Sequence, residues 1–66
     1  MRKWEISNKE GTTKATATYE NGILTATNEN GYSTTSEISL DDLLDRVKTT
    51  SIRAKKENWD FREVSL

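Results

Sequence analysis

Any chemistry in this chain must come from carboxylates, amines, guanidinia, hydroxyls and five aromatic rings, because its 66 residues include no histidine and no cysteine. That removes the imidazole base, the thiol nucleophile, the histidine-dependent triad and the usual zinc site. One carboxylate pair has helical spacing, Asp41 and Asp45. Two carboxylates at i and i+4 could hold a divalent ion, but no second acidic cluster and no glycine-rich phosphate loop accompanies them. A solvated first turn of a helix is the simpler reading. No catalytic, metal or cofactor site is expected, and the chain reads as a non-enzyme.

Binding chemistry is better supplied. Arg53, Lys55, Lys56 and Arg62 flank Trp59 in sequence. Cations beside an aromatic ring suit phosphates and stacked single-stranded bases. The formal net charge of −1 opposes that reading, because nucleic-acid binders are commonly basic. Charge is also segregated along the chain. The span from Glu20 to Asp45 holds six acids and no base, and six bases follow from Arg46 to Arg62. Helix electrostatics explains much of this, since anions favour a helix N-terminus and cations its C-terminus. The acidic block could also dock on a basic protein surface, including the DNA-binding face of an enzyme.

Placing these residues requires the elements that carry them. Three turn signals divide the first forty residues: Asn8-Lys9-Glu10-Gly11, Asn21-Gly22 and Asn30-Gly31. Asn-Gly suits the positive φ angles of a type I′ hairpin turn. Short runs rich in threonine and containing aromatic residues lie between them and read as strands. A two-residue loop at Asn21-Gly22 sets Glu20 opposite Ile23, Tyr19 opposite Leu24, Thr18 opposite Thr25, Ala17 opposite Ala26 and Thr16 opposite Thr27. One face is then apolar, with Ala15, Ala17, Tyr19, Leu24 and Ala26, and the other carries Thr16, Thr18, Thr25 and Thr27. A slip of one residue would mix the two sets. With Lys9-Glu10 at the first tip, Ile6 faces Thr13, Glu5 forms an ion pair with Lys14, and Trp4 faces Ala15. With Asn30-Gly31 as a two-residue turn, Thr27 faces Thr34, Thr25 faces Ser36 and Ile23 faces Ile38.

A helix follows. Ser39 is a good N-cap, Asp42 sits three residues on, and Ile38 and Leu43 have hydrophobic-staple spacing. Leu40, Leu43, Leu44 and Val47 form a stripe at helical spacing, which Ser51 and Ala54 continue weakly. Ile52 lies roughly 120° off that stripe at ~100° per residue. The helix begins near Leu40 and ends between Thr49 and Asn58. Trp59, Phe61, Val64 and Leu66 make the tail too apolar for solvent, so it reads as a last strand beside the first. The predicted architecture is α+β in a single domain, residues 1–66. It is an antiparallel four-stranded β-meander with a fifth C-terminal edge strand, in sheet order 5-1-2-3-4. One helix packs on the alanine-lined face.

The function expected is that of a small protein-binding module that masks or modulates a partner. Its contacts would come from the threonine face, the sheet edge or the acidic block, through Ile23, Thr25, Thr27, Glu29, Tyr32, Glu37 and Asp41. Threonine is a good strand residue, and the threonine face reads first as a solvated one. Hydroxyl side chains are cheaper to desolvate than charges, so the same face could also dock a partner. The alternative is nucleic-acid binding through Arg53, Lys55, Lys56, Trp59 and Arg62. A third reading is a structural homodimer with threonine faces packed together, because a domain this small gains from self-association when it has neither disulfide nor metal. No apolar run reaches the length of a membrane span. No signal peptide is expected, because no apolar stretch follows Arg2 and Lys3. A soluble, cytoplasmic chain is therefore expected, and the lack of cysteine is compatible with the cytosol. The composition, rich in Thr, Asn, Lys and Glu, is similar to that of small accessory proteins of low-GC bacteria and their phages, a likeness that covers no motif.

Overall fold

The computed structural model describes residues 1–65. Leu66, the last apolar residue of the expected tail, lies outside the described residues. The elements are β1 (Arg2–Ser7), β2 (Thr13–Glu20), β3 (Ile23–Asn28), β4 (Ser33–Glu37), α1 (Leu40–Lys56) and β5 (Asp60–Val64). All five strands form one antiparallel sheet in the order β4-β3-β2-β1-β5, the order expected from the sequence. The helix packs on one face of it, so the fold is α+β.

The three hairpins differ in how well sequence predicted their register. Asn21 and Gly22 have φ of 52° and 79°, and β2 pairs with β3 as expected, from Glu20 opposite Ile23 to Thr16 opposite Thr27. The other two turns are longer. Residues 8–12 and 28–32 are matching Asn-x-x-Gly-x segments, each closed by a backbone bond between its first and last residues around a three-residue loop. The Asn8 side chain accepts from the Thr12 N–H, and the Asn28 side chain accepts from the N–H groups of Asn30 and Tyr32. Gly11 and Gly31 donate back to the carbonyls of Asn8 and Asn28 with φ of 88° and 85°. An asparagine side chain that closes its own turn competes with the two-residue Asn-Gly turn, and at Asn28 it wins.

Both registers shift as a result. Between β1 and β2 a bulge at Lys14 lets Ile6 face Ala15 and Trp4 face Ala17. This is a slide of two from the expected register, so Trp4 and Ile6 stay on the apolar face. The expected Glu5–Lys14 ion pair is not made. Glu5 faces Thr16 and lies 3.6 Å from Arg62, while Lys14 reaches Glu29 at 3.0 Å. Between β3 and β4 the shift is one residue, which turns β4 over. Thr27 now faces Ser33, Thr25 faces Thr35 and Ile23 faces Glu37. Thr34 and Ser36 join Ala26 and Leu24 on the helix side. The expected Ile23–Ile38 pair is therefore absent. Ile38 instead donates its N–H to Gly22 and accepts at its carbonyl from the Tyr19 hydroxyl at 2.9 Å.

The helix begins as expected, with the Ser39 hydroxyl accepting from the Asp42 N–H. It ends at Lys56 in a Schellman motif. Asn58 is left-handed at φ 61°, the Trp59 N–H bonds the Ala54 carbonyl, and the Asn58 N–H bonds that of Lys55. Its inner row is Leu43, Val47, Thr50 and Ala54, so Leu43, Val47 and Ala54 of the expected stripe face the sheet while Leu40, Leu44 and Ser51 do not. Leu43 is 1% exposed, whereas Leu40 and Leu44 are 49% and 43% exposed. Among the described residues the buried apolar ones are Trp4, Leu43 and Ala54. A helix is about 10 Å wide and strands are about 4.8 Å apart, so one helix covers roughly two strands of five. Here it lies closest to β5. No helix among the described residues is long and apolar enough to cross a membrane.

Candidate protein-docking surfaces

The uncovered half of the helix-side face forms a groove. Its floor is Ala17, Leu24 and Ala26, and its wall is Leu43, Val47 and Thr50. The depression measures about 270 Å³ and continues past Ile6, Ala15 and Thr50 into a second of about 320 Å³, closed by Trp59. The floor stays low because β2 and β3 alternate alanine into this face. Ala26 is exposed there, although the alanines were expected to lie under the helix. Arg46 and Arg53 stand seven residues apart along the helix rim. Neither has a carboxylate within 4.0 Å among the described residues.

The opposite face of the sheet is open. Register aligns Val64, Lys3, Thr18, Thr25 and Thr35 in one row across it, and Arg62, Glu5, Thr16, Thr27 and Ser33 in the next. The Thr27 and Ser33 hydroxyls are 2.7 Å apart and hydrogen-bonded. Glu20, Ile23 and Glu37 form a further row at one end of the face. Four of the residues singled out from sequence, Ile23, Thr25, Thr27 and Glu37, are thus brought together on this face. Tyr32 is not among them. It stands in the β3–β4 loop, 74% exposed.

The charged sets separate. Glu20, Glu37 and Asp41 gather where β2 turns into β3 and the helix begins. Glu29 lies at the other end, bonded to Lys14. Arg53, Lys55 and Lys56 occupy the last turn of the helix, and Arg53 and Trp59 share the groove. Arg62 does not join them, because it projects from the threonine face toward Glu5. The Lys14 ammonium lies 5.9 Å from the centre of the Trp59 ring. Asp41 and Asp45 belong to no group of three or more potential metal ligands among the described residues.

Sequence reasoning did not single out the groove residues Leu24, Ala26, Arg46 and Thr50 as a surface. One signal was available: a single helix is too narrow for a sheet of five strands. No family model matches the chain, and neither a curated protein nor a solved structure is significantly similar to it. Its surfaces are therefore interpreted from their own chemistry.

Proposed function

We propose that this chain is a non-enzymatic protein-binding module that masks or modulates a partner by taking an acidic amphipathic segment of it into the helix-side groove. The observation that carries the reading is the apolar floor of half-buried Ala17 and Leu24 and exposed Ala26, beside two arginines with no ion-pair partner among the described residues. Apolar residues of the segment would cover the floor, and its carboxylates would meet Arg46 and Arg53 in charge-assisted bonds. Grooves of this shape commonly accept an amphipathic helix through its apolar side chains. Surface area supports the reading. The chain exposes 4912 Å², and a folded monomer of its mass, 7.5 kDa, exposes about 4,250 Å², so the excess is roughly 650 Å².

The nucleic-acid reading has weaker support. One side of Trp59 is approached by Lys14, and Arg62 stands on the other face of the sheet. The test uses Trp59, which lines the groove. Pure protein is titrated with a leucine- and glutamate-containing amphipathic peptide, its lysine counterpart and a single-stranded oligonucleotide, reading tryptophan emission. The acidic peptide should shift the emission, and Ala26→Arg should abolish the shift by filling the floor with a charge. An unchanged response in Ala26→Arg, or preference for the lysine peptide, would reject the groove. Quenching by the oligonucleotide that reverses with salt would favour nucleic acid, because phosphate binding releases counterions.

A further inference from the structure

The two edges of the sheet are treated differently. The β5 edge carries Asp60, Arg62 and Glu63, each tied to a neighbour: Lys9 at 3.1 Å, Glu5 at 3.6 Å and Arg2 at 2.9 Å. Charge of this kind discourages edge-to-edge pairing. The β4 edge, Ser33–Glu37, has no lysine, no proline and no bulge, and four of its five residues are hydroxyl side chains. Its restraints are its length and the single carboxylate of Glu37.

The hydrogen-bond pattern determines which backbone groups are free. Asn28 donates to the Tyr32 carbonyl, and Ile38 donates to the Gly22 carbonyl. Residues 32, 34, 36 and 38 therefore direct their backbone groups toward β3. By the alternation of an antiparallel ladder, Ser33, Thr35 and Glu37 direct theirs outward.

We propose that β4 pairs antiparallel with β4 of a second copy about a two-fold axis through Thr35, joining the sheets into one of ten strands. Three matches carry the proposal. The outward groups of Ser33, Thr35 and Glu37 meet those of Glu37, Thr35 and Ser33 of the second copy, three doubly bonded pairs, and no other symmetric register within β4 makes as many. Threonine faces threonine at the axis, and the two Glu37 carboxylates stand about 13 Å apart along the strand, at four residues of ~3.3 Å each. The same register sets exposed Tyr32 opposite Ile38 of the other copy at both ends, an aromatic and β-branched pair of the kind that stabilises antiparallel strands. Beyond these residues both chains leave the sheet. The axis is perpendicular to the sheet, so both helices lie on one side and the two grooves adjoin. This inference does not depend on what occupies the groove.

Five residues a side form a contact smaller than the ~1,200–2,000 Å² of stable complexes. The dimer should be weak, with Kd on the order of 10–100 μM. Sedimentation from about 10 μM to 1 mM should show mass doubling with concentration. Thr35→Pro should hold the chain monomeric with its circular dichroism intact, because the N–H it removes points outward, away from β3. Thr35→Lys and Thr35→Glu should each be monomeric alone and form a mixed dimer when combined, since like charges at the axis repel and unlike charges attract. A wild type that is monomeric throughout overturns the proposal and leaves the edge to a different partner. A dimer that survives in Thr35→Lys alone overturns it in favour of another interface. The charge pair decides the matter if the proline variant does not fold.

Discussion

Leu43→Ala should come close to unfolding this protein, while Leu44→Ala should barely disturb it, although the two leucines are adjacent and both belong to the apolar stripe. Leu43 is 1% exposed against 43% for Leu44, and it sits between Trp4 and the floor of the groove. Deleting a buried leucine costs about 3–5 kcal/mol, with the lower end applying where neighbours or solvent can fill the space. The groove opens directly beside Leu43, so about 3 kcal/mol is expected. A domain of this length has roughly 3–10 kcal/mol of total stability, so the loss is a large fraction of it. An unfolding entropy of about 2.1 cal/mol/K per residue converts 3 kcal/mol into a drop of roughly 20 °C in Tm. Leu44→Ala should cost under ~1 kcal/mol and so less than about 7 °C by the same conversion. Thermal denaturation followed by far-ultraviolet circular dichroism reads both. Equal shifts in the two variants would refute the placement of the helix on the sheet.

Two further predictions concern the helix end and the edge pair. Asn58 occupies a left-handed position, so Asn58→Ala should cost about 1 kcal/mol and Asn58→Gly should cost nothing or stabilise, measured by urea midpoint. Two hydrogen bonds from Arg2 hold the Glu63 carboxyl below its ordinary pKa, and the pairing raises that of Arg2 in turn. A carboxyl lowered on folding adds stability above its unfolded pKa of about 4.3 and loses it as pH falls through the folded value. Glu63→Gln should therefore flatten the loss of stability between about pH 5 and 3, and an unchanged acid slope would show that the pair does not form in solution.

Much of the fold was legible because short-range chemistry specifies it. The Asn21-Gly22 turn, the alternation of alanine with threonine, the Ser39 cap and the apolar tail each act through neighbours in sequence, and each predicted element formed. The sheet order also followed, since a helix leaving β4 must return a strand antiparallel to β1. The registers of the two outer hairpins were not legible from dipeptide propensity. Asn8 and Asn28 close their loops with their own side chains, and this lengthens each two-residue turn to three. At β4 the extra length moves the pairing by one, the smallest shift that exchanges faces, and places Ser33, Thr35 and Glu37 with the open threonine face.

Local patterning could not say where the helix would settle on the sheet. Leu40, Leu43 and Leu44 are equivalent in apolar character, and only packing against Trp4 and β5 separates them into one buried and two exposed side chains. The same packing decides that Ala26 is uncovered, that Arg62 faces away from Arg53, and that Glu29 leaves the acidic block for Lys14. By itself the sequence determined the elements, their order and which residues share a strand face, because those follow from backbone periodicity and caps. Tertiary structure decided which parts of each face are exposed, because covered area depends on the width of one helix against five strands, a quantity that no local run of residues contains.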